Sequence, residues 1–211
     1  MPISVLPFSR CIQEISVMPR QIGEVLDESH VVALSPDSLA GGRFIAGVGE
    51  YLEKLADTQV CVLHGDRVTD LNSFCEELGR ALPGRALEPR LDGPSGVLET
   101  LRRRHADADP ASLKRRYYLW SDADILLRRD KVLFGRLVDA IAGVAAEAEY
   151  ASEDVLLLHR AVFAGGAALA AYADDERGQF RAWLREGAEV PFWQVVSGIE
   201  APRFCFFRVP D

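Results

Sequence analysis

Short apolar runs alternate along this chain with amphipathic segments of helical length, and that alternation limits the available folds more than any single motif does. HVVAL (30–34), QVCVL (59–63), RYYLW (116–120), DVLLLHRAVF (154–163) and RFCFFRV (203–209) are rich in β-branched, aliphatic or aromatic residues, as strands are. Between the first two, RFIAGVGEYLEKLAD (43–57) places Phe44, Ile45, Val48, Tyr51, Leu52 and Leu55 on one helical face. After QVCVLHG, Thr69 or Asp70 can cap a helix in which Leu71, Phe74, Leu78 and Leu82 recur at spacings of three and four, until Pro83 and Gly84 stop it. A later run keeps Phe134, Leu137, Val138, Ile141, Val144, Ala145 and Ala148 in helical phase, and GGAALAAYADDERGQFRAWL (165–184) is mostly helical. Strands joined through helices imply parallel, right-handed crossovers. The predicted fold class is therefore α/β, a mainly parallel central sheet with helices packed on it.

Residues 1–29 hold irregularly spaced prolines and glycines around the short helical hint RQIGEVLDE, and are expected to form an arm. Residues 30–211 are expected to make a single α/β domain ending in an aromatic tail, 188–211, that contains Phe192, Trp193, Phe204, Phe206 and Phe207. Such a tail pairs into the sheet and fills the core, or, if exposed, becomes a surface for homo-oligomer formation. RALEPRLDGPSG (85–96) is loop by its proline and glycine content, with a short helix, VLETLRRRH, behind it.

With 211 residues the chain can bury a substantial core without staples. Cys11, Cys61, Cys75 and Cys205 are far apart and form no CxxC pair, which suits buried thiols in a reducing compartment. There is no signal-like start and no run of apolar residues long enough to span a bilayer, so a cytoplasmic location without membrane attachment is expected. A net charge of −8 disfavours phosphate backbones and favours a basic protein partner. The basic clusters LRRRH (101–105) and KRR (114–116) are expected to be solvated helix-end and loop charges.

In parallel α/β sheets ligands bind beyond the carboxyl ends of the strands. On this reading QVCVL ends in His64 and Asp66, RYYLW in Asp122 and Asp124, and DVLLL in His159 and Arg160. If these strands are neighbours, the six side chains share one rim that could hold a divalent ion or carry acid–base chemistry. The competing expectation is structural: Ser121 precedes Asp124 by three residues, as in a helix-capping pattern, and acids suit a helix start.

Known catalytic motifs are missing. No GxSxG, HExxH or strand-following GxGxxG occurs. RYYLWSD has the form of the acidic strand end of a phosphate-loop ATPase, but the glycine-rich loop ending in Lys and Ser or Thr is absent; AGGRFIAGVGE has glycines and no such lysine. An active ATPase is thereby disfavoured, and a degenerate, non-hydrolysing relative stays open.

Residues 60–82, VCVLHGDRVTDLNSFCEELGRAL, resemble the opening of barstar-like proteins: a strand, a Gly-containing turn, then a helix with Phe and Leu at core spacing. The resemblance extends over residues 58–160, with LDGPSGVLETLRRR at the family's second helix, YYLWSDADILL at its next strand and LFGRLVDAIAGVAAEAE at its long helix. It implies a cofactor-free α/β inhibitor of a basic ribonuclease, acting through an acidic helix and the loop before it, where this chain offers Asp92 and Glu99. The leading expectation is a non-enzymatic intracellular protein-binding domain with a basic partner. The alternatives are a ligand- or metal-binding domain or enzyme using the rim, and a degenerate nucleotide-binding or oligomerisation module.

Overall fold

The computed structural model describes residues 19–27, 29–82, 115–150, 158–175, 179–182 and 203–209. Within them, β1 (Ser29–Leu34), β2 (Thr58–His64), β3 (Arg115–Ser121), β4 (Leu158–Gly165) and β5 (Arg203–Arg208) form one sheet in the order β2-β3-β4-β1-β5. Every adjacent pair is parallel, so the α/β fold class expected from the alternating pattern is the one observed. The helices are α1 (Pro19–Leu26), α2 (Ser38–Leu52), α3 (Leu71–Ala81), α4 (Ala123–Arg129), α5 (Lys131–Tyr150), α6 (Ala167–Asp174) and α7 (Gln179–Ala182).

A parallel sheet needs cover on both faces, and alternate strand residues serve the two cores. Val32, Tyr118, Trp120, Ala161 and Phe163 face a large core built with α3, α4, α5, α6 and α7. Val31, Ala33, Tyr117, Leu119 and Val162 face a smaller one built with α1 and α2. In the larger core Phe134 of α5 meets Phe163, Tyr172 and Phe180 edge-on at 5.7, 5.2 and 5.9 Å. The helical stripe predicted for α5 is buried from Phe134 to Ala145, and Asp70, not Thr69, caps α3 in a reciprocal capping box with Ser73. In the smaller core Ile22 and Leu26 of α1 are fully buried.

One expectation about the strands changes. DVLLL does not end at His159 and Arg160: β4 begins at Leu158 and runs to Gly165, so both residues sit in its first half, with His159 paired to Arg116 in register. Polar residues are tolerated in this buried strand because they are bonded. The Tyr118 hydroxyl and His159 Nδ1 are 3.1 Å apart, and Arg160 donates to the carbonyls of His159 and Asp27 at 3.0 and 3.3 Å. The described part of the aromatic tail is β5, which pairs along the whole of β1. Phe204 and Phe206 fill the larger core and Phe207 the smaller one, which removes them as an exposed association surface. Phe192 and Trp193 lie outside the described residues.

His30 shows how β1 is seated between β4 and β5. Its Nδ1 accepts the Ala161 N–H at 3.0 Å, its ring stacks on Phe204 at 4.8 Å, and its Nε2 is buried with no hydrogen-bond partner among the described residues. Burial first, and the Arg160 cation second, lower its pKa to about 3. The unfolded chain binds a proton there near pH 6.5 and the folded chain does not, so stability held at neutral pH is lost as pH falls from about 6.5 towards 3. The thermal midpoint is expected to drop between pH 7 and 5, as the unfolding free energy falls with a limiting slope of about 1.4 kcal/mol per pH unit. In His30→Asn, whose side-chain oxygen can accept the same N–H, calorimetry across that window should give a flatter profile.

Candidate functional site

The general location of a ligand in such a sheet is the crevice where neighbouring strands send their following helices to opposite faces. Here that crevice lies between β1, which leads into α2 on the smaller-core face, and β4, which leads into α6 on the larger. The first connection is the three residues Ser35, Pro36 and Asp37; the second turns at Gly165 and Gly166. Ser35 N–H donates to the Gly165 carbonyl at 2.8 Å, which ties the two turns together. The Ser35 hydroxyl is buried and has no hydrogen-bond partner among the described residues.

Both helix starts at this crevice are closed by carboxylates of the chain. Asp37 caps α2, its Oδ1 accepting the Ala40 N–H at 2.7 Å. Asp124, which projects from α4, caps α6: its carboxylate accepts the N–H groups of Gly166, Leu169 and Ala168 at 3.0, 2.8 and 3.3 Å. Arg128 adds an ion pair to Asp124 at 3.1 Å. A Cβ on Gly165 would stand 2.6 Å from Asp124 Oδ1, so glycine permits that approach. Helix N-termini are the usual seats of phosphate; these two seats hold negative charge already.

A second recess lies further along the same edge. His64 ends β2 and Ser121 ends β3, and His64 Nδ1 is 2.8 Å from Ser121 Oγ. The His64 N–H donates to Glu77 Oε1 at 3.3 Å. Glu77 is buried and pairs with Arg80 and Arg67 at 2.8 and 3.5 Å. Gly65 donates to the Ser121 carbonyl at 2.9 Å, and a Cβ there would come within 2.3 Å of the Asp122 carbonyl oxygen. Asp122 has a left-handed backbone (φ 53, ψ 37) at the start of α4 and makes no side-chain cap bond. His64, Ser121 and Asp122 border a cleft of about 440 Å³ whose other wall is α2.

The six residues predicted to share a rim therefore separate. His64 and Asp122 line one cleft. Asp66 is exposed, and its backbone carbonyl accepts from Arg129 at 3.1 Å. Asp124 belongs to the β1–β4 crevice, and His159 and Arg160 lie in the first half of β4. Asp92 and Glu99 lie outside the described residues. Among the described residues no group of three or more His, Cys, Asp or Glu side chains is placed to hold a metal ion, and no helix is long and apolar enough to cross a membrane. The Ser121-x-x-Asp124 pattern did not make a local capping box; Asp122 takes the N-cap position and the Asp124 carboxylate serves another helix. Sequence reading passed over Ser35, Asp37 and Glu77. Asp37 had a signal, an acid three residues before Ala40 at a helix start, and Glu77 stands three residues after Phe74, in phase with the buried stripe.

No protein-family model matches the sequence, and no curated protein matches it. Among solved structures, the fold is similar to that of the ORC2 protein of Aeropyrum pernix in its ADP form, with a TM-score of 0.51 and 11% identity over 100% of this chain and 50% of that one. The same protein solved as ADPNP–ADP complexes gives a TM-score of 0.50 at 11% identity, over 99% and 50%. The chain spans about half the length of these proteins, and the likeness is one of fold. It overturns the resemblance to barstar-like proteins. The strand, turn and Phe/Leu-spaced helix that carried that resemblance are what any β–α unit produces, and the sheet extends past residues 58–160 to include β1 and β5.

Replacing Asp124 by Ala leaves three backbone N–H groups of the β4–α6 turn without their acceptor and is expected to cost about 1–3 kcal/mol in chemical denaturation. Asp124→Asn, which keeps an acceptor oxygen, should lose less. Gly65→Ala, which drives a Cβ into backbone, should destabilise by at least about 1–3 kcal/mol in the same measurement.

Proposed function

We propose that this chain is a non-hydrolysing domain of the nucleotide-binding α/β type that works as a protein-assembly module. The observation that carries the reading is the pair of carboxylates, Asp37 and Asp124, on the two helix starts of the β1–β4 crevice. In phosphate-loop enzymes a glycine-rich turn wraps the phosphates and a lysine precedes the Ser or Thr that reaches the metal ion. Here the turn is only Ser35, Pro36 and Asp37, and the residue before Ser38 is an aspartate. Two fixed negative charges and occupied N–H donors oppose a polyphosphate at that position. The fold likeness to an ORC2 chain solved with nucleotide supports a shared architecture, and the altered crevice supports a role that no longer uses one. A net charge of −8 favours a basic protein as the partner.

Two measurements test this. Calorimetric titration of the full chain with Mg²⁺·ATP and with ADP is expected to give no saturable heat, and phosphate release should not exceed the uncatalysed background. Saturable, Mg²⁺-dependent ATP binding in the micromolar range would overturn the loss of the nucleotide site. Affinity capture at low and moderate salt, together with sedimentation of the purified chain, should reveal a protein complex; a monomer that captures nothing would sink the assembly role.

A further inference from the structure

The cleft between α2 and the ends of β2 and β3 is distinct from the closed crevice, and no established role absorbs it. Ile45, Ala46 and Gly49 of α2 face Val62 of β2 across it, giving an apolar floor. Val62 is one of few large apolar side chains left exposed among the described residues. Glu50, Glu53 and Asp122 stand around that floor with His64, and among the described residues no lysine or arginine lines it. We infer that this cleft receives a lysine or arginine side chain of a protein partner.

The chemistry fits on both counts. A long basic side chain lays its methylene stem on apolar surface and keeps its charged head among polar groups. Three acidic residues, Glu50, Glu53 and Asp122, among the lining of one open recess leave a negative potential that such a head neutralises. The aspartates at three other helix starts are committed: Asp37, Asp70 and Asp124 each accept backbone N–H groups. Asp122 makes no such bond, and its left-handed backbone places it at the cleft with its carboxylate unused by α4. The Glu50–Lys54 pair, at 2.9 Å, is exposed on both sides and exchangeable at little cost. On the far wall Ser121, itself buried, bonds His64 Nδ1 and so fixes the ring at the rim of the cleft.

The inference rests on the assembly reading for its partner but is tested separately from it. The full ¹⁵N-labelled chain would be titrated with N-acetyl-glycyl-arginyl-glycinamide, its lysine analogue and its neutral citrulline analogue. Saturable amide shifts are expected at Ala46, Val62, His64 and Asp122, with the citrulline peptide about tenfold weaker. Glu53→Gln and Asp122→Asn should each weaken the arginine peptide about two- to fivefold, whereas Glu76→Gln on α3 should leave it unchanged. Equal binding of arginine and citrulline peptides, shifts indifferent to these variants, or no saturable shift up to the order of 10 mM would overturn it. If the chain stays a monomer that captures nothing while the arginine peptide still fills the cleft, only the assembly reading falls; if a protein complex forms while the peptide does not bind, only the cleft assignment falls.

Discussion

Parallel strands need long crossover connections, and this domain depends on β1 being held between β4 and β5, which follow it by more than a hundred residues. The pairing Val31 with Val162 on one side and with Cys205 on the other places a fully buried strand at the centre of two cores. It also brings a histidine inside. His30 is admitted because its Nδ1 takes over the Ala161 N–H and its ring packs on Phe204; burial keeps it neutral. The order of the sheet, the position of the crevice and the pH dependence of stability thus share one origin.

The same order explains why two acids occupy what is otherwise an anion seat. A helix N-terminus must find acceptors for its free N–H groups. When a bound phosphate does not supply them, a side chain must. Asp37 does so within its own turn, and Asp124 does so across the larger-core side, from α4 to α6. Asp124 consequently joins the β3–α4 and β4–α6 units at the carboxyl edge of the sheet. By contrast the cleft beside α2 has a carboxylate, Asp122, with no such structural duty.

Local features were legible in proportion to how far they depend on nearby residues. The stripe of α5 from Phe134 to Ala145, the start of α3 at Thr69 or Asp70 and the strand RFCFFRV all follow from local patterning and short-range capping and match the structure, in which Asp70 is the cap. The carboxyl end of β4 lies beyond His159 and Arg160, at Gly165, because Tyr118 and backbone carbonyls satisfy these polar residues inside the strand. The barstar-like resemblance failed for a related reason: it rested on one β–α unit and its spacing, which carries no information about which strands flank it.

What the sequence by itself determined is the class of the fold, the two-faced strands and the helix caps made within a turn, since periodicity and short-range hydrogen bonding act over a few residues. The tertiary structure decided the rest. It set the order β2-β3-β4-β1-β5, sent Asp124 to α6, brought His64 to Ser121 and left Asp122 at a cleft. Those contacts join residues 45 positions apart in the Asp124–Leu169 bond, 57 apart in the His64–Ser121 pair and more than a hundred apart in the β1–β4 and β1–β5 pairings, and only the packing of two cores against one sheet can choose among them.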